Sequence, residues 1–395
     1  MQDSKQKPTH FPNGFLFGAA SSSHQVEGHN KNNDWWAAEN TGKVPRSGLA
    51  ADHYHRFAED FSLAHQIGLN AIRISIEWSR IEPVQGQFDP EAIAHYKQVL
   101  QAAKAQGLSR MVTLHHFTLP KWFAESGGFF RKDSAELFAR YSKYVAEHLG
   151  EEVALWNTIN EPEVYAVMGY RYGVWPPFQK KFWLWLKLHL RLIAAHKASY
   201  QAIKRVLPHT KVGLVKNNAY YKAVHKWNLI EWLIVKFLNY TRNDFLFLRT
   251  GNENDFLGVN YYFYHPIDWL HLKQSLNIRT EQEPKTDMGW RIFAPGLYFM
   301  LMGLKKFRKP IYITENGLAD AADTKRYDFI NDHLQATARA IAAGLDVRGY
   351  YYWALTDNYE WADGFGPRFG LINIDYQTQA RSIRASSKIF NQIHS

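Results

Sequence analysis

The sequence predicts an α/β fold, a single (β/α)8 barrel that takes in residues 1–395 as one domain. Two observations predict it. Apolar, β-rich runs alternate with amphipathic helical patterns along the chain, the mark of βαβ units and a parallel sheet. The runs number eight, at residues 15–19, 71–76, 111–114, 155–159, 212–215, 256–260, 311–314 and 349–353, and eight parallel strands close into a barrel. A doubly wound open sheet would show a glycine-rich phosphate loop after its first strand. Here Gly18-Ala19-Ala20-Ser21 leads instead to Gln25 and Glu27. The chain is long for one domain, but α/β barrels reach this length undivided. No low-complexity linker or internal repeat splits it.

The helices carry their own start and stop signals. Tyr54, Phe57, Phe61 and Ala64 form an apolar stripe closed by Gly68. Asp89-Pro90 sets a capping carboxylate before a proline at the first helical position; Ile93, Tyr96, Leu100 and Ala103 then share a face, and Gly107 ends the run. Asp133 and Glu136 have the spacing of a capping box, with Gly150 as the stop.

Hydrophobic residues make up 46% of the chain, enough for a large core, and aromatics make up 15%. An aromatic excess suits stacking against flat apolar ligand faces, though barrel walls use aromatics too. There is no cysteine, which excludes disulfides, thiolate zinc sites and cysteine nucleophiles. That composition fits a reducing compartment. Residues 1–10 are polar and lack an apolar signal core, so a cytoplasmic protein is expected. No run of about 18 apolar residues suggests a membrane span. The net charge of +10 admits nucleic acid, anionic membrane or an acidic ligand as partner. No nucleic-acid-binding motif accompanies it, so no nucleic-acid partner is expected.

Parallel barrels carry their chemistry at the C-terminal ends of the strands. Polar or aromatic residues break the apolar pattern at seven of the eight ends: Gln25; Arg73 and Glu77; His115-His116; Asn160-Glu161-Pro162; Asn260-Tyr261-Tyr262; Glu315-Asn316-Gly317; and Trp353 leading to Glu360-Trp361. Glu161 and Glu315, on strands four and seven, lie across the barrel mouth from one another. Two carboxyls so placed suit cleavage of a glycosidic bond. The oxocarbenium-like state needs one group to protonate the leaving oxygen and another to attack or stabilise the anomeric carbon. Taken singly, a strand-end glutamate is more often a solvated or ion-paired group, and Asn-Glu-Pro or Glu-Asn-Gly a simple turn; their joint placement reverses that preference in favour of chemistry. His115 and His116 read either as a buried structural pair or as ligand contacts, with His116 the better contact. Glu77 reads either as a third acid or as a partner of Arg73; it shares a strand face with Arg73 at i, i+4, so the ion pair is expected.

These motifs resemble glycoside hydrolase family 1, the β-glucosidase family, over nearly the whole chain. The segments that carry the resemblance are Phe15-Leu16-Phe17-Gly18-Ala19-Ala20-Ser21-Ser22, Gln25-Val26-Glu27-Gly28, Thr113-Leu114-His115-His116-Phe117, Thr158-Ile159-Asn160-Glu161-Pro162, Gly258-Val259-Asn260-Tyr261-Tyr262, Tyr312-Ile313-Thr314-Glu315-Asn316-Gly317, and the run from Trp353 to Trp361. Any one is moderately specific; seven in the family's order are very specific.

The resemblance implies a retaining β-glycosidase, foremost a β-glucosidase, with a small β-glycoside or oligosaccharide as its partner and no metal or organic cofactor. It assigns Glu161 as acid/base and Glu315 as nucleophile. Arg73 and Tyr262 match residues that contact the nucleophile, and Asn160 the residue on the sugar 2-hydroxyl. Gln25, His116, Glu360 and Trp361 match residues that grip the remaining hydroxyls. Trp353 matches the platform under the ring, and Trp290 the aromatic wall at the leaving group. Phospho-β-glycosidases of the family replace the Glu-Trp pair with a phosphate-binding set, so the intact Glu360-Trp361 implies an unphosphorylated sugar. Glu161, where thioglucosidases carry Gln, implies O-glycosides. A transglycosylase or a catalytically silent sugar-binding barrel are the other readings. The chain departs from the family in being short, in His24 where Tyr is common, and in Phe117-Thr118 for Trp-Asp.

Two stretches are rich in Trp, Leu and Lys: residues 178–191, FQKKFWLWLKLHLR, and residues 226–238, KWNLIEWLIVKFL. They read either as barrel helices with a solvated lysine face or as elements that touch an anionic membrane or a lipid-like aglycone.

Overall fold

The computed structural model describes residues 11–393. Its centre is a closed parallel barrel of eight strands in sequence order, with helices between them. The strands are β1 (Leu16–Ala20), β2 (Ala71–Ser75), β3 (Ser109–His115), β4 (Leu155–Asn160), β5 (Lys211–Ala223), β6 (Phe256–Ile267), β7 (Ile311–Asn316) and β8 (Val347–Trp353). Pairing of β1 with β8, Leu16↔Gly349 through Ala20↔Trp353, closes the ring.

All eight strands lie where the apolar runs predict, and the reason is alternation. Ile72 and Ile74 on β2, Val112 and Leu114 on β3, and Tyr350 and Tyr352 on β8 join the large core between sheet and helices. Their neighbours Ala71, Met111 and Tyr351 belong to a second cluster that fills the barrel interior. Each fully buried large aliphatic side chain contributes about 1.5–3 kcal/mol relative to exposure, so slipping one strand by a residue would exchange both faces at once. Gly18 is part of this packing: a Cβ there would come within 2.5 Å of the Tyr351 ring, so only glycine lets that ring enter the interior.

Two strands outrun the prediction. β5 and β6 continue in parallel past a register shift at Asn218/Ala219, as far as Ala223↔Ile267. Beyond the barrel rim this pair is covered by the helix Leu229–Leu238, whose Leu238 packs with Ala219, Tyr221 and Ile267. The apolar pattern stops at residue 215 because the continuation is built from Asn, Tyr and Lys.

The helix signals divide. In the helix Pro90–Ala105, Asp89 Oδ1 accepts from the amides of Glu91 at 2.8 Å and Ala92 at 3.3 Å. Ile93, Tyr96, Leu100 and Ala103 are buried as the stripe requires. Gly68 ends the helix His53–Ile67 in the left-handed conformation, φ +93°. Asp133, by contrast, does not cap the helix Ser134–Leu149. Its carboxylate forms a bidentate pair with Arg131, at 2.8 and 2.7 Å, which competes with the helix amides. Gly150 is helical, φ −55°, and the chain runs on into a 3-10 turn, so it is no left-handed stop. A Cβ at Gly150 would meet the Leu207 side chain at 2.6 Å, which accounts for the glycine differently.

The two aspartates therefore make opposite predictions. Asp89→Ala is expected to lower the unfolding free energy by about 1 kcal/mol, read as a reduced urea midpoint at unchanged slope. Asp133→Ala, which loses a surface ion pair only, is expected to move the midpoint less. Equal shifts would overturn this division.

Candidate active site

The barrel interior changes character from bottom to top. Met111, Leu155, Phe256 and Tyr312 plug the lower end. Above them lies Arg73, fully buried on β2. A guanidinium has donors only and must find acceptors when buried. Its Nε donates to Thr113 Oγ1 at 3.1 Å, one terminal nitrogen reaches the Thr314 carbonyl and Glu315 Oε1, and the other donates to Asn160 Oδ1 at 2.6 Å. Strands β3, β4 and β7 are thus tied through one side chain.

Glu315 stands on β7 with Arg73 on one carboxyl oxygen and the Tyr262 hydroxyl on the other, 2.9 Å away. Burial raises its affinity for a proton; Arg73 and Tyr262 pull against that rise. Tyr262 itself is held protonated, well above the usual phenol range, by burial and by the Glu315 charge. Gly317, two residues on, sits so close to β8 that a Cβ would fall 1.9 Å from the Trp353 carbonyl oxygen. The glycine of the Glu-Asn-Gly motif is therefore required by close approach to the end of β8.

Glu161 follows β4 in a left-handed conformation, φ +43°, at the start of the short helix Pro162–Ala166. A non-glycine residue there costs free energy of order 1 kcal/mol, and the turn aims the carboxyl into the mouth. Its Oε1 accepts from Asn260 Nδ2 at 2.8 Å and Asn217 Nδ2 at 2.9 Å. Both donations fall on Oε1, which leaves Oε2 to carry a proton. Burial, then the Glu315 charge, pushes this carboxyl well above the usual range, and two neutral amides offset only part of it. Glu161 has no cation against it and Glu315 has one, so a shared proton resides on Glu161.

Above the carboxyls opens a cleft of about 430 Å³ lined by His116, Glu161, Tyr262, Trp290, Glu315, Trp353, Glu360 and Trp361, among others. The His116 ring lies nearly parallel to Trp353 and Trp361, with centroids 5.8 and 6.2 Å apart. Its tautomer follows from Arg73. Because Arg73 faces Asn160 Oδ1, the Asn160 amide nitrogen is the atom 3.3 Å from His116 Nε2, which must accept. The proton is then on Nδ1, a buried atom with no hydrogen-bond partner among the described residues. Burial and Arg73 keep the ring neutral. His115 points the other way, edge-on to Phe129 and Tyr165, and belongs to the core.

Gln25 is fully buried behind the cleft. Its amide donates to Asn358 Oδ1, to the Tyr359 carbonyl and to Glu360 Oε2, the last at 3.3 Å. Trp290 packs across Tyr262 and Phe263, and its indole N–H has no partner among the described residues. Glu77 is not paired with Arg73. β2 ends at Ser75, so the strand alternation linking residues 73 and 77 fails, and Glu77 accepts from Ser79 and Thr118 instead.

Sequence reasoning missed Asn217 and Asn260 as partners of Glu161. Strand five is the one end that showed no polar break at residue 215, because the strand runs on; Lys216-Asn217-Asn218 was the available signal. Lys216, buried, pairs with Glu163 at 2.9 Å, and Glu163 also accepts from the Asn217 amide at 2.7 Å, so an ion pair sets Asn217 in place. The aromatic box around Trp361, made with Trp35, Trp175 and Phe117, was also not foreseen in full.

The profile of glycosyl hydrolase family 1 matches residues 7–229 and 221–395. The chain belongs to glycosyl hydrolase family 1. It is accordingly an O-glycoside hydrolase with the family's retaining mechanism. A 1,4-β-D-glucan glucohydrolase of Thermotoga neapolitana is 30% identical, over 97% of this chain and 98% of that protein. β-Glucosidase A of Thermotoga maritima is 31% identical, over 97% of each chain. Among solved structures, a β-glycosidase from Pyrococcus horikoshii superposes with a TM-score of 0.90 at 39% identity, over 98% of this chain and 95% of that one. The Thermotoga maritima β-glucosidase in complex with glucoimidazole gives 0.90 at 29% identity, over 97% and 98%. The alignment to the glucohydrolase runs over 434 positions against 395 residues here, so segments of that relative are shortened in this family 1 member.

The departures from the family pattern are absorbed locally. His24 bonds Glu39 at 2.9 Å and stacks on Trp361. Thr118 holds Glu77 with its hydroxyl. Burial in the cleft wall, with Asp363 and Glu315 nearby, pushes Glu360 up to about 8. A carboxyl whose folded pKa is raised binds its proton more tightly in the folded state, so its stabilising share is full below about pH 4.5 and is lost as pH rises towards 8. Glu360→Gln is therefore expected to flatten the decline of melting temperature between pH 5 and 8. An unchanged slope in the variant would refute the shift.

Proposed function

We propose that this family 1 member hydrolyses unphosphorylated, O-linked β-glycosides, foremost β-glucosides, with Glu315 as nucleophile and Glu161 as acid/base, and that the whole chain acts as one catalytic domain. The observation that carries the reading is the unequal surroundings of the two carboxyls: Glu315 held by Arg73 and Tyr262, Glu161 by two amides alone.

In the first step Glu315 attacks the anomeric carbon and forms a glycosyl ester, while Glu161 gives its proton to the departing oxygen. In the second, Glu161 takes a proton from water, the water oxygen attacks the same carbon, and the ester to Glu315 breaks. Configuration is retained through two inversions. Asn260 lies against both carboxyls, which supports the close spacing of a double-displacement pair over the wider gap that an attacking water needs. The free N–H groups of His116 and Trp290 are buried donors that a sugar hydroxyl would satisfy. His116, Trp353 and Trp361 supply near-parallel rings for an apolar sugar face. The Glu360-Trp361 pair stands intact where phospho-β-glycosidases of the family carry a phosphate-binding set, which supports an unphosphorylated sugar. Relatives include a 6-phospho-β-galactosidase of Leptotrichia buccalis, 29% identical, so a phosphorylated sugar belongs among the substrates assayed. A chain with no cysteine suits a reducing setting, and we place its action in the cytoplasm.

The test is release of p-nitrophenol from β-glucoside, β-galactoside, β-fucoside, β-mannoside, α-glucoside and 6-phospho-β-glucoside. The β-glucoside should be the best substrate, with a bell-shaped pH profile set by ionised Glu315 and protonated Glu161. Glu315→Gln should lower kcat by about 10⁴-fold or more on every substrate. Glu161→Gln should lose about 10²–10⁴-fold on alkyl glucosides, whose leaving group needs a proton, and less on p-nitrophenyl glucoside. Wild-type turnover in Glu315→Gln, or activity confined to the phosphorylated sugar, would overturn the reading.

A further inference from the structure

The helix Leu229–Leu238 is built inside out. Only Glu231 and Leu238 are buried, while Trp232, Leu233 and Phe237 face solvent, Phe237 being 65% exposed. Just before it Trp227 is 88% exposed. The buried Glu231 explains how this face is held. Its carboxylate accepts from the His225 amide and ring at 2.7 Å each and from the Trp269 amide at 3.4 Å. It thereby fastens the Trp227 loop and the exposed Trp269–Leu270 turn to one end of the helix. A carboxylate spent in this way inside leaves an apolar face outside, with the tryptophans at its edge.

Positive charge is concentrated in the chain that leads into this face, and two lysines lie on it. Residues 164–230 contain twelve Lys and Arg and no Asp or Glu, more positive charge than the +10 of the whole chain. Lys226 lies 5.0 Å over the Trp227 ring and Lys236 5.4 Å over Trp232. Within the same charged region, the helix Phe182–Val206 begins with Trp183 77% exposed and Lys181 and Lys187 beside it. Like charge on like charge opposes a second copy of this chain on the same surface. Lysines flanking exposed tryptophans and aliphatic side chains instead match an anionic headgroup layer over hydrocarbon. Among the described residues no helix is long and apolar enough to cross a membrane, so such contact would lie in the plane of the surface.

We infer that the Trp227–Phe237 face docks this protein on the surface of an anionic lipid bilayer. The ten-residue helix lies in the interfacial plane, its aromatic side chains in the headgroup boundary and its lysines on phosphate. Leu238 and Arg242, at the far end of the helix, line the cleft of the candidate active site, so docking sets the cleft beside the lipid.

The experiment is cosedimentation of the full chain with vesicles of equal parts phosphatidylcholine and phosphatidylglycerol, and with phosphatidylcholine alone. The wild type should bind the anionic vesicles and not the neutral ones. Binding should fall by about tenfold or more in about 1 M NaCl, where the screening length is about 3 Å. A double variant, Trp227→Ser with Phe237→Ser, should lose about tenfold in binding at an unchanged melting temperature and unchanged hydrolysis of a soluble glycoside. Neither residue lies in the cleft. The proposal fails if the wild type ignores anionic vesicles, or if the double variant binds as well as the wild type. It also fails if gel filtration shows a dimer that the double variant converts to monomer without any vesicle binding. None of these readings depends on which glycoside the enzyme cleaves.

Discussion

The buried guanidinium of Arg73 is the constraint on which the rest of the site depends. A permanent cation inside a barrel is tolerable only when every donor finds an acceptor. Satisfying it draws Thr113, the Thr314 carbonyl, Glu315 and Asn160 to one point. The consequences then propagate through hydrogen-bond polarity. Asn160 must present its oxygen to Arg73, so its nitrogen faces His116 Nε2, and His116 must carry its proton on Nδ1. Asn260 is oriented in the same way: its oxygen accepts from Thr314 at 2.7 Å, so its nitrogen faces Glu161. One charge at the bottom of the site thereby sets a tautomer and one amide orientation above it, and the Thr314 hydroxyl sets a second amide.

The same charge separates two chemically identical side chains. Glu161 and Glu315 are both glutamates, both buried and both raised by burial, and the Glu315 charge raises Glu161 further. Position alone would leave them to share a proton without preference. Arg73 and Tyr262 break the symmetry by stabilising the ionised form of one, and the amides of Asn217 and Asn260 leave the other free to stay neutral. Division of labour between acid and nucleophile is in this sense a property of their neighbours.

The fold was legible because it rests on alternation between two apolar faces, a pattern that survives in composition alone. Ile72, Arg73 and Ile74 show it in miniature: the isoleucines go to the helices and the arginine to the interior. What was not legible depends on competition between partners. Asp133 has the spacing of a cap, but Arg131 takes its carboxylate. Glu77 has the spacing of an Arg73 partner, but the strand ends at Ser75 and the arginine already has better acceptors. The extensions of β5 and β6 escaped notice because Asn217, Asn218, Tyr220 and Tyr221 do not look like a buried strand. Their residues pair above the barrel, where one side meets a cleft rather than a core. Of the site residues, Asn260 lay in a named motif but its bond to Glu161 was not foreseen, and Asn217, which lies in none, was missed.

The uneven charge of the chain has a consequence for how the molecule moves. With twelve cations and no acids between residues 164 and 230, the remainder of the protein is slightly acidic in net terms. The molecule is therefore an electric dipole whose positive pole is the sector of the barrel formed by the helix Phe182–Val206 and β5. A dipole of this kind turns in a field before it makes contact. Near any polyanionic surface the protein would arrive already oriented, and its retention on an anionic matrix would report this one sector rather than its isoelectric point.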